Sequence, residues 1–148
     1  MAQKKEKKPK VVFANGIFDL LHPGHIELLK FAKSLGDKLV VGLNSDRSTK
    51  ELKGEERPIH SELHRKIVLE NLRYVDEVII FDGLRPTALI HELMPDIVVK
   101  GNEYLVEDIR KTDDIPDSIE VVVCSLIRDE QGEKLSTTST VTKLKGAL

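Results

Sequence analysis

The sequence predicts an α/β fold, a parallel sheet with helices on both faces. Short apolar runs rich in valine, isoleucine and leucine recur along the chain, as strands buried on both faces of a sheet require. Between them lie segments with apolar residues at helical spacing. Polar, chemistry-bearing stretches follow the strands, at the end where an open α/β sheet collects its ligand. A chain of 148 residues is long enough for one sizeable core and fits a single domain.

The elements follow in order. Residues 10–15 form a first strand. Residues 24–35 place Leu28, Phe31, Ala32 and Leu35 on one helical stripe that Gly36 can terminate. Residues 38–44 are a nearly continuous apolar run, a strand covered on both sides. Residues 45–59 are polar and charged, with Gly54 and Pro58, and read as a long mobile loop of functional character. Ser61 can cap the next helix, which is expected to send Leu63, Ile67, Val68 and Leu72 to the core. A strand at 75–81 precedes a short helix at 86–94 with proline at its start. A strand at 96–100 ends in Lys100-Gly101, and the polar segment through Pro116 has no assigned structure. The last strand covers 119–126, and a hydroxyl-rich entrance opens a closing helix at 136–144.

Composition narrows the function classes. The net charge of −2, with 32% charged residues, supplies no global basic field for nucleic acid. The lysine-rich start is expected to be a disordered tail over residues 1–9, leaving one domain over 10–148. A single cysteine, Cys124, cannot form an intramolecular disulfide, and its apolar setting suits a buried thiol in a reducing cytoplasm. No apolar leader and no stretch approaching eighteen apolar residues occur, so a cytoplasmic protein without a membrane partner is expected.

The most informative stretch runs from Gly16-Ile17-Phe18-Asp19 to His22-Pro23-Gly24-His25. It puts a glycine turn, a carboxylate and two imidazoles one helical turn apart at a strand-to-helix junction, a place suited to anions. Gly16 lets backbone approach a ligand, Gly24 leaves room against the helix, and His22 and His25 can donate to phosphate oxygens. Lys53 and Arg57 in the polar loop are suited to phosphate, as a point charge and a forked donor. Arg65 and Arg73 are candidates for an acceptor phosphate; Arg73 with Asp76 is equally a candidate structural ion pair. Lys100, Gly101 and Glu103 leave a strand end where a base or ribose can be held. Ser136, Thr137 and Thr138 place hydroxyls at a helix N-terminus, which caps the helix and can bind phosphate. His60 and His64 lack further ligands at metal spacing, so no protein metal site is expected.

The string Gly-x-Phe-Asp-x-x-His-x-Gly-His resembles the signature of cytidylyltransferase-like nucleotidylyltransferases. The resemblance extends from about Val11 to Leu144, with Lys53-Gly54-x-x-Arg57-Pro58 and Ser136-Thr137-Thr138 in the family's order. It implies a Rossmann-like three-layer α/β/α fold with a five-stranded parallel sheet, of nucleotidylyltransferase/HUP-like type. It implies an NTP and a phosphorylated small molecule as substrates, Mg²⁺ with the nucleotide, pyrophosphate as by-product, and a homodimer. Catalysis would fall to His22, His25 and Lys53. Nucleotide binding would involve Gly16, Ile17, Phe18, Gly24, Lys100, Gly101, Glu103, Ser136, Thr137 and Thr138, and acceptor phosphate Arg57, Arg65 and Arg73. Met94-Pro95-Asp96 through Lys100-Gly101-x-Glu103-Tyr104 is similar to the adenylyltransferase part of ADP-heptose synthases, which implies ATP and a heptose 1-phosphate. Bifunctional relatives join this domain to a sugar kinase; none of kinase size is found here, so a separate kinase is expected. A glycerol-3-phosphate cytidylyltransferase is the alternative within the family, with FMN-forming adenylyltransferases more distant. A nucleotide-binding regulator without catalysis is the alternative of another class. The segment before Ser136 departs from the family pattern, having Gln131 where an arginine sometimes stands.

Overall fold

A computed structural model describes residues 6–101, 105–125, 130–132 and 134–147. The elements are β1 (Val11–Gly16), α1 (Pro23–Ser34), β2 (Lys38–Asn44), α2 (Asp46–Lys53), α3 (Glu62–Glu70), β3 (Glu77–Phe81), α4 (Thr87–Leu93), β4 (Ile97–Gly101), α5 (Val106–Thr112), β5 (Glu120–Cys124) and α6 (Thr137–Ala147). The strands form one sheet in the order β3-β2-β1-β4-β5, and every pairing is parallel. The chain reverses direction across the sheet between β1 and β4, so its ligand crevice is expected over the carboxyl ends of those strands.

Alternation along the strands divides the core. Val12, Ala14, Val41 and Val99 join Leu29 and Ala32 of α1 and Leu69 of α3 on one face. Phe13, Val40 and Val98 join Leu89 and Ile90 of α4 and Ile109 of α5 on the other. This is the three-layer α/β/α arrangement expected from the sequence. Gly42 is required by that packing, since a Cβ there would come within 2.7 Å of the Phe13 ring. Cys124 is buried and its thiol is pushed up in pKa by that burial and by Glu27. Among the described residues, no helix is long and apolar enough to cross a membrane.

Two expectations are corrected, and a segment left open proves helical in part. The stretch 45–59 is not a loop throughout: residues 46–53 form α2, capped by the Ser45 hydroxyl on the Ser48 N–H. Its inward residues are Ser48 and Thr49, so no apolar stripe announces it. Hydroxyls serve instead, Thr49 Oγ1 donating to the Ser45 carbonyl at 2.7 Å. The polar segment before Pro116 likewise contains a helix, α5, whose one buried residue is Ile109. Of the four residues expected to face the core from α3 and its end, Leu72 packs against it and the other three point outward. Leu63, Ile67 and Val68 are 64%, 58% and 49% exposed, and the inward face is Arg65 and Leu69.

Arg65 explains that inversion. It is only 2% exposed, and its guanidinium donates from Nε to the His60 carbonyl at 2.9 Å. Nη1 donates to the carbonyls of Ile17 and Asn44 at 2.7 and 2.9 Å. Nη2 meets Asp46 Oδ1 at 2.9 Å. One forked cation thereby satisfies the carbonyl ends of two strands and anchors α2. Arg73 is exposed before β3, at the amino end of the sheet, and the expected Arg73–Asp76 pair is replaced. Asp76 instead accepts from Lys33 Nζ at 2.6 Å and from the Leu39 N–H at 2.7 Å.

Candidate active site

A cleft of about 610 Å³ opens over the carboxyl ends of the strands, within the size range of small-molecule sites. Its lining brings together Gly16, Ile17, Phe18, His22, Gly24, His25, Lys53, Arg57, Lys100, Gly101, Ser136, Thr137 and Thr138. These residues come from four separate stretches of sequence. Arg65 and Arg73 do not line it: the first is buried behind Ile17, the second stands at the opposite end of the sheet. Glu103 lies outside the described residues.

The two histidines build the entrance to α1. His22 is its N-cap, with Nδ1 accepting from the Gly24 N–H at 3.0 Å. His25 Nδ1 accepts from the His22 N–H at 3.2 Å, completing a reciprocal capping box. An Nδ1 that accepts cannot carry the proton, so in each neutral ring the proton sits on Nε2. The rings stack with centroids 3.8 Å apart. Each therefore presents one N–H donor to the cleft, beside the positive end of a helix. Gly24 is indispensable to this arrangement, because a Cβ there would lie 2.8 Å from the His22 ring.

Burial lowers the His25 imidazole to about 4, with His22 acting in the same direction and Asp19 against it. His22 is lowered as well, first by burial and then by Lys134. Both rings are neutral donors at pH 7. In the unfolded chain His25 titrates near 6.5, so between about pH 6.5 and 4 the unfolded state binds more protons. The contribution of His25 to stability therefore falls as pH drops through that window and levels off below it. An NMR titration of the His25 Cε1–H resonance is expected to show a midpoint near 4; an ordinary imidazole midpoint would contradict the buried donor.

Phe18 and Leu20 both adopt left-handed backbone, with φ of 49° and 46°. Non-glycine residues seldom do so, and the strain is sustained by what the loop positions. Phe18 is turned into the core with its ring centroid 5.4 Å from that of His25. Asp19, 1% exposed, accepts the Ile59 N–H at 2.6 Å, the His60 N–H at 3.1 Å and Arg57 Nε at 3.4 Å. Its carboxylate is thus taken up by these donors and fastens the segment after α2. Arg57 Nη1 reaches Thr138 Oγ1 at 3.5 Å, and the Thr137 hydroxyl donates to the Asp19 carbonyl. The entrance of α6 is tied to the first motif by these bonds, and the Ser136 hydroxyl caps it by accepting from the Ser139 N–H at 3.0 Å. Lys53 sits exposed on the last turn of α2 at the cleft edge.

On the cleft floor, Lys100 Nζ donates to Asn15 Oδ1 at 2.6 Å and pairs with Asp113 Oδ2 at 2.9 Å. Asp113 Oδ1 faces Arg85 Nη1 at 3.5 Å. Asn15, Arg85 and Asp113 line the cleft and were not singled out from the sequence; Lys134, a sequence candidate to stand in for the arginine missing at Gln131, lines it too. For Arg85 a signal existed: Gly83-Leu84-Arg85-Pro86 leaves the carboxyl end of β3, where ligand-binding loops belong. Among the described residues no group of three His, Cys, Asp or Glu side chains is placed to hold a metal ion.

Comparison with known proteins gives a consistent pattern. The family model described as cytidylyltransferase-like matches residues 13–143. The chain is 44% identical over 143 residues to "Bifunctional protein HldE" of Paramagnetospirillum magneticum, covering 96% of this chain and 28% of that protein. It is 42% identical over 152 residues to the HldE of Yersinia enterocolitica, covering all of this chain and 30% of that protein. It thus spans less than a third of the length of these curated relatives. Among solved structures, a lipopolysaccharide core biosynthesis protein of Thermoplasma volcanium is 32% identical with a TM-score of 0.69, covering 80% of this chain and 98% of its own. Pantoate-beta-alanine ligase of Francisella tularensis, at 19% identity and a TM-score of 0.66, shares the fold.

Proposed function

The chain belongs to the cytidylyltransferase-like family of nucleotidyltransferases, and on that premise we propose that it transfers AMP from ATP to a sugar 1-phosphate. A heptose 1-phosphate is the acceptor, and an ADP-sugar and pyrophosphate are the products. The observation that carries this reading is the pair of neutral Nε2–H donors at the start of α1, in one cleft with Lys53, Arg57 and Lys100. The choice of ATP and a heptose rests on identity above 40% to HldE proteins along almost the whole chain.

The chemistry asks little of a base. An acceptor phosphate is already an anionic nucleophile, and its oxygen attacks the α-phosphorus in line while the bond to the β-phosphate oxygen breaks. Catalysis then consists of bringing two polyanions together and stabilising charge on the equatorial oxygens and the departing pyrophosphate. His22 and His25 donate to the α-phosphoryl group as charge builds there. Lys53 spans incoming and outgoing phosphates from the edge, and Arg57 with the α6 hydroxyls orients the pyrophosphate. Asp19 and Asp113 are the cleft carboxylates, and both are engaged by backbone N–H groups or cations. Such a donor set fits Mg²⁺ that enters on the triphosphate, whose chemistry is to neutralise and orient the phosphate chain. A cytoplasmic homodimer is part of the same proposal, and the exposed apolar face of α3 supports it.

A pyrophosphate-release screen crossing ATP and CTP with heptose 1-phosphate and glycerol 3-phosphate tests the assignment. Turnover with ATP and the heptose phosphate is expected. Turnover with CTP and glycerol 3-phosphate would overturn the substrate choice, and none with any pair would favour a binding protein.

A further inference from the structure

The cleft has two rims. One carries α1, α6 and the segment after α2, with His22, His25, Arg57 and Thr137. The other carries the turn before α4 and the end of α5, with Arg85, Pro86, Ile109, Thr112 and Asp113. Between them, Asn15 and Lys100 form the floor. In-line transfer requires the nucleophile on the side of the α-phosphorus opposite the leaving pyrophosphate. With the triphosphate held by the histidine rim, the acceptor's phosphate belongs against the other rim.

Arg85 is the cation that this rim offers. Its side chain is 59% exposed, and among the described residues its partner is Asp113, at a long 3.5 Å through one nitrogen. Its other guanidinium N–H groups have no partner among the described residues and can meet two oxygens of a phosphate as a fork. Its position is built rather than incidental. Gly83 allows the turn, since a Cβ there would meet the Arg85 carbonyl at 2.9 Å. Asp113 is nearly buried and is itself fixed on its other oxygen by Lys100. One carboxylate therefore holds two cations in line from the floor to the rim.

We propose that Arg85, positioned by Asp113, binds the phosphate of the acceptor. The assignment rests on the nucleotidyl-transfer reading above but is tested apart from it by binding alone. Heptose 1-phosphate is titrated calorimetrically into protein saturated with α,β-methylene-ATP, for the wild type and for Arg85→Gln and Arg85→Lys. Arg85→Gln is expected to weaken the sugar phosphate at least about tenfold, the loss of one charge-assisted pair, with the analogue's Kd within about twofold. Arg85→Lys should recover part of the loss. If the wild type does not bind heptose 1-phosphate, inorganic phosphate is titrated in its place with the same expectation. Equal anion affinity in wild type and Arg85→Gln, loss of the ATP analogue instead, or no anion bound by the wild type would each overturn the assignment. In contrast, a pyrophosphate screen that fails with every pair, with this binding pattern intact, would overturn the nucleotidyl-transfer reading and leave the anion site at Arg85 standing.

Discussion

His22→Asn is expected to lower kcat by about 100- to 1,000-fold while the KM for ATP changes only a few-fold, the size of effect seen when one transition-state donor is removed. Asparagine is chosen because its side-chain oxygen can still accept the Gly24 N–H and cap α1. What disappears is the imidazole Nε2–H and the stacking with His25. Alanine would mix loss of the donor with loss of the cap, which costs about 1 kcal/mol of stability by itself. Urea unfolding of the variant checks that the cap survives, and initial rates against ATP concentration separate kcat from KM. An unchanged kcat with weakened ATP binding would make His22 an anchor of the ground state.

Arg65→Met is expected to destabilise the fold by about 3–5 kcal/mol, as removal of one member of a buried charge network does. The methionine fills similar length but leaves the carbonyls of His60, Ile17 and Asn44 and the Asp46 carboxylate without their donor. Arg65→Lys should rescue little, because a single ammonium cannot reach four acceptors in three directions. The shift in urea midpoint measures both. A change under about 1 kcal/mol, with acceptor binding reduced instead, would return Arg65 to the role of phosphate ligand expected from its sequence context.

Arg65 also shows where sequence reasoning stops. The five strands were legible because each is a short apolar run, and α1 because its stripe and its terminating Gly36 agree. The motif from Gly16 to His25 stood out because glycine, carboxylate and imidazoles stand together at a strand-to-helix junction, and the fold places it in the cleft. Periodicity misled in α3, where a buried guanidinium shares the inward face with Leu69 while Leu63, Ile67 and Val68 face out. It was silent for α2, whose inward face is hydroxyls. Asp76 has Arg73 as a candidate partner three positions away, but the fold brings Lys33 across forty-three positions to it. Arg85 and Asp113, twenty-eight positions apart, become partners only because the turn after β3 and the end of α5 meet on one rim. Chemistry concentrated in one short segment survives in the sequence; chemistry assembled from distant single residues needs the fold.

The central claim is attack on the α-phosphorus of a nucleoside triphosphate by a phosphate oxygen, and ³¹P NMR of the reaction mixture tests it directly. With ATP, heptose 1-phosphate and Mg²⁺, the account predicts that the sugar phosphate signal and the three ATP signals decline together. Pyrophosphate and a pair of coupled diphosphate-ester resonances should rise in equal amounts. Formation of ADP with orthophosphate or with a doubly phosphorylated sugar would place the cleavage at the γ-phosphate and contradict it.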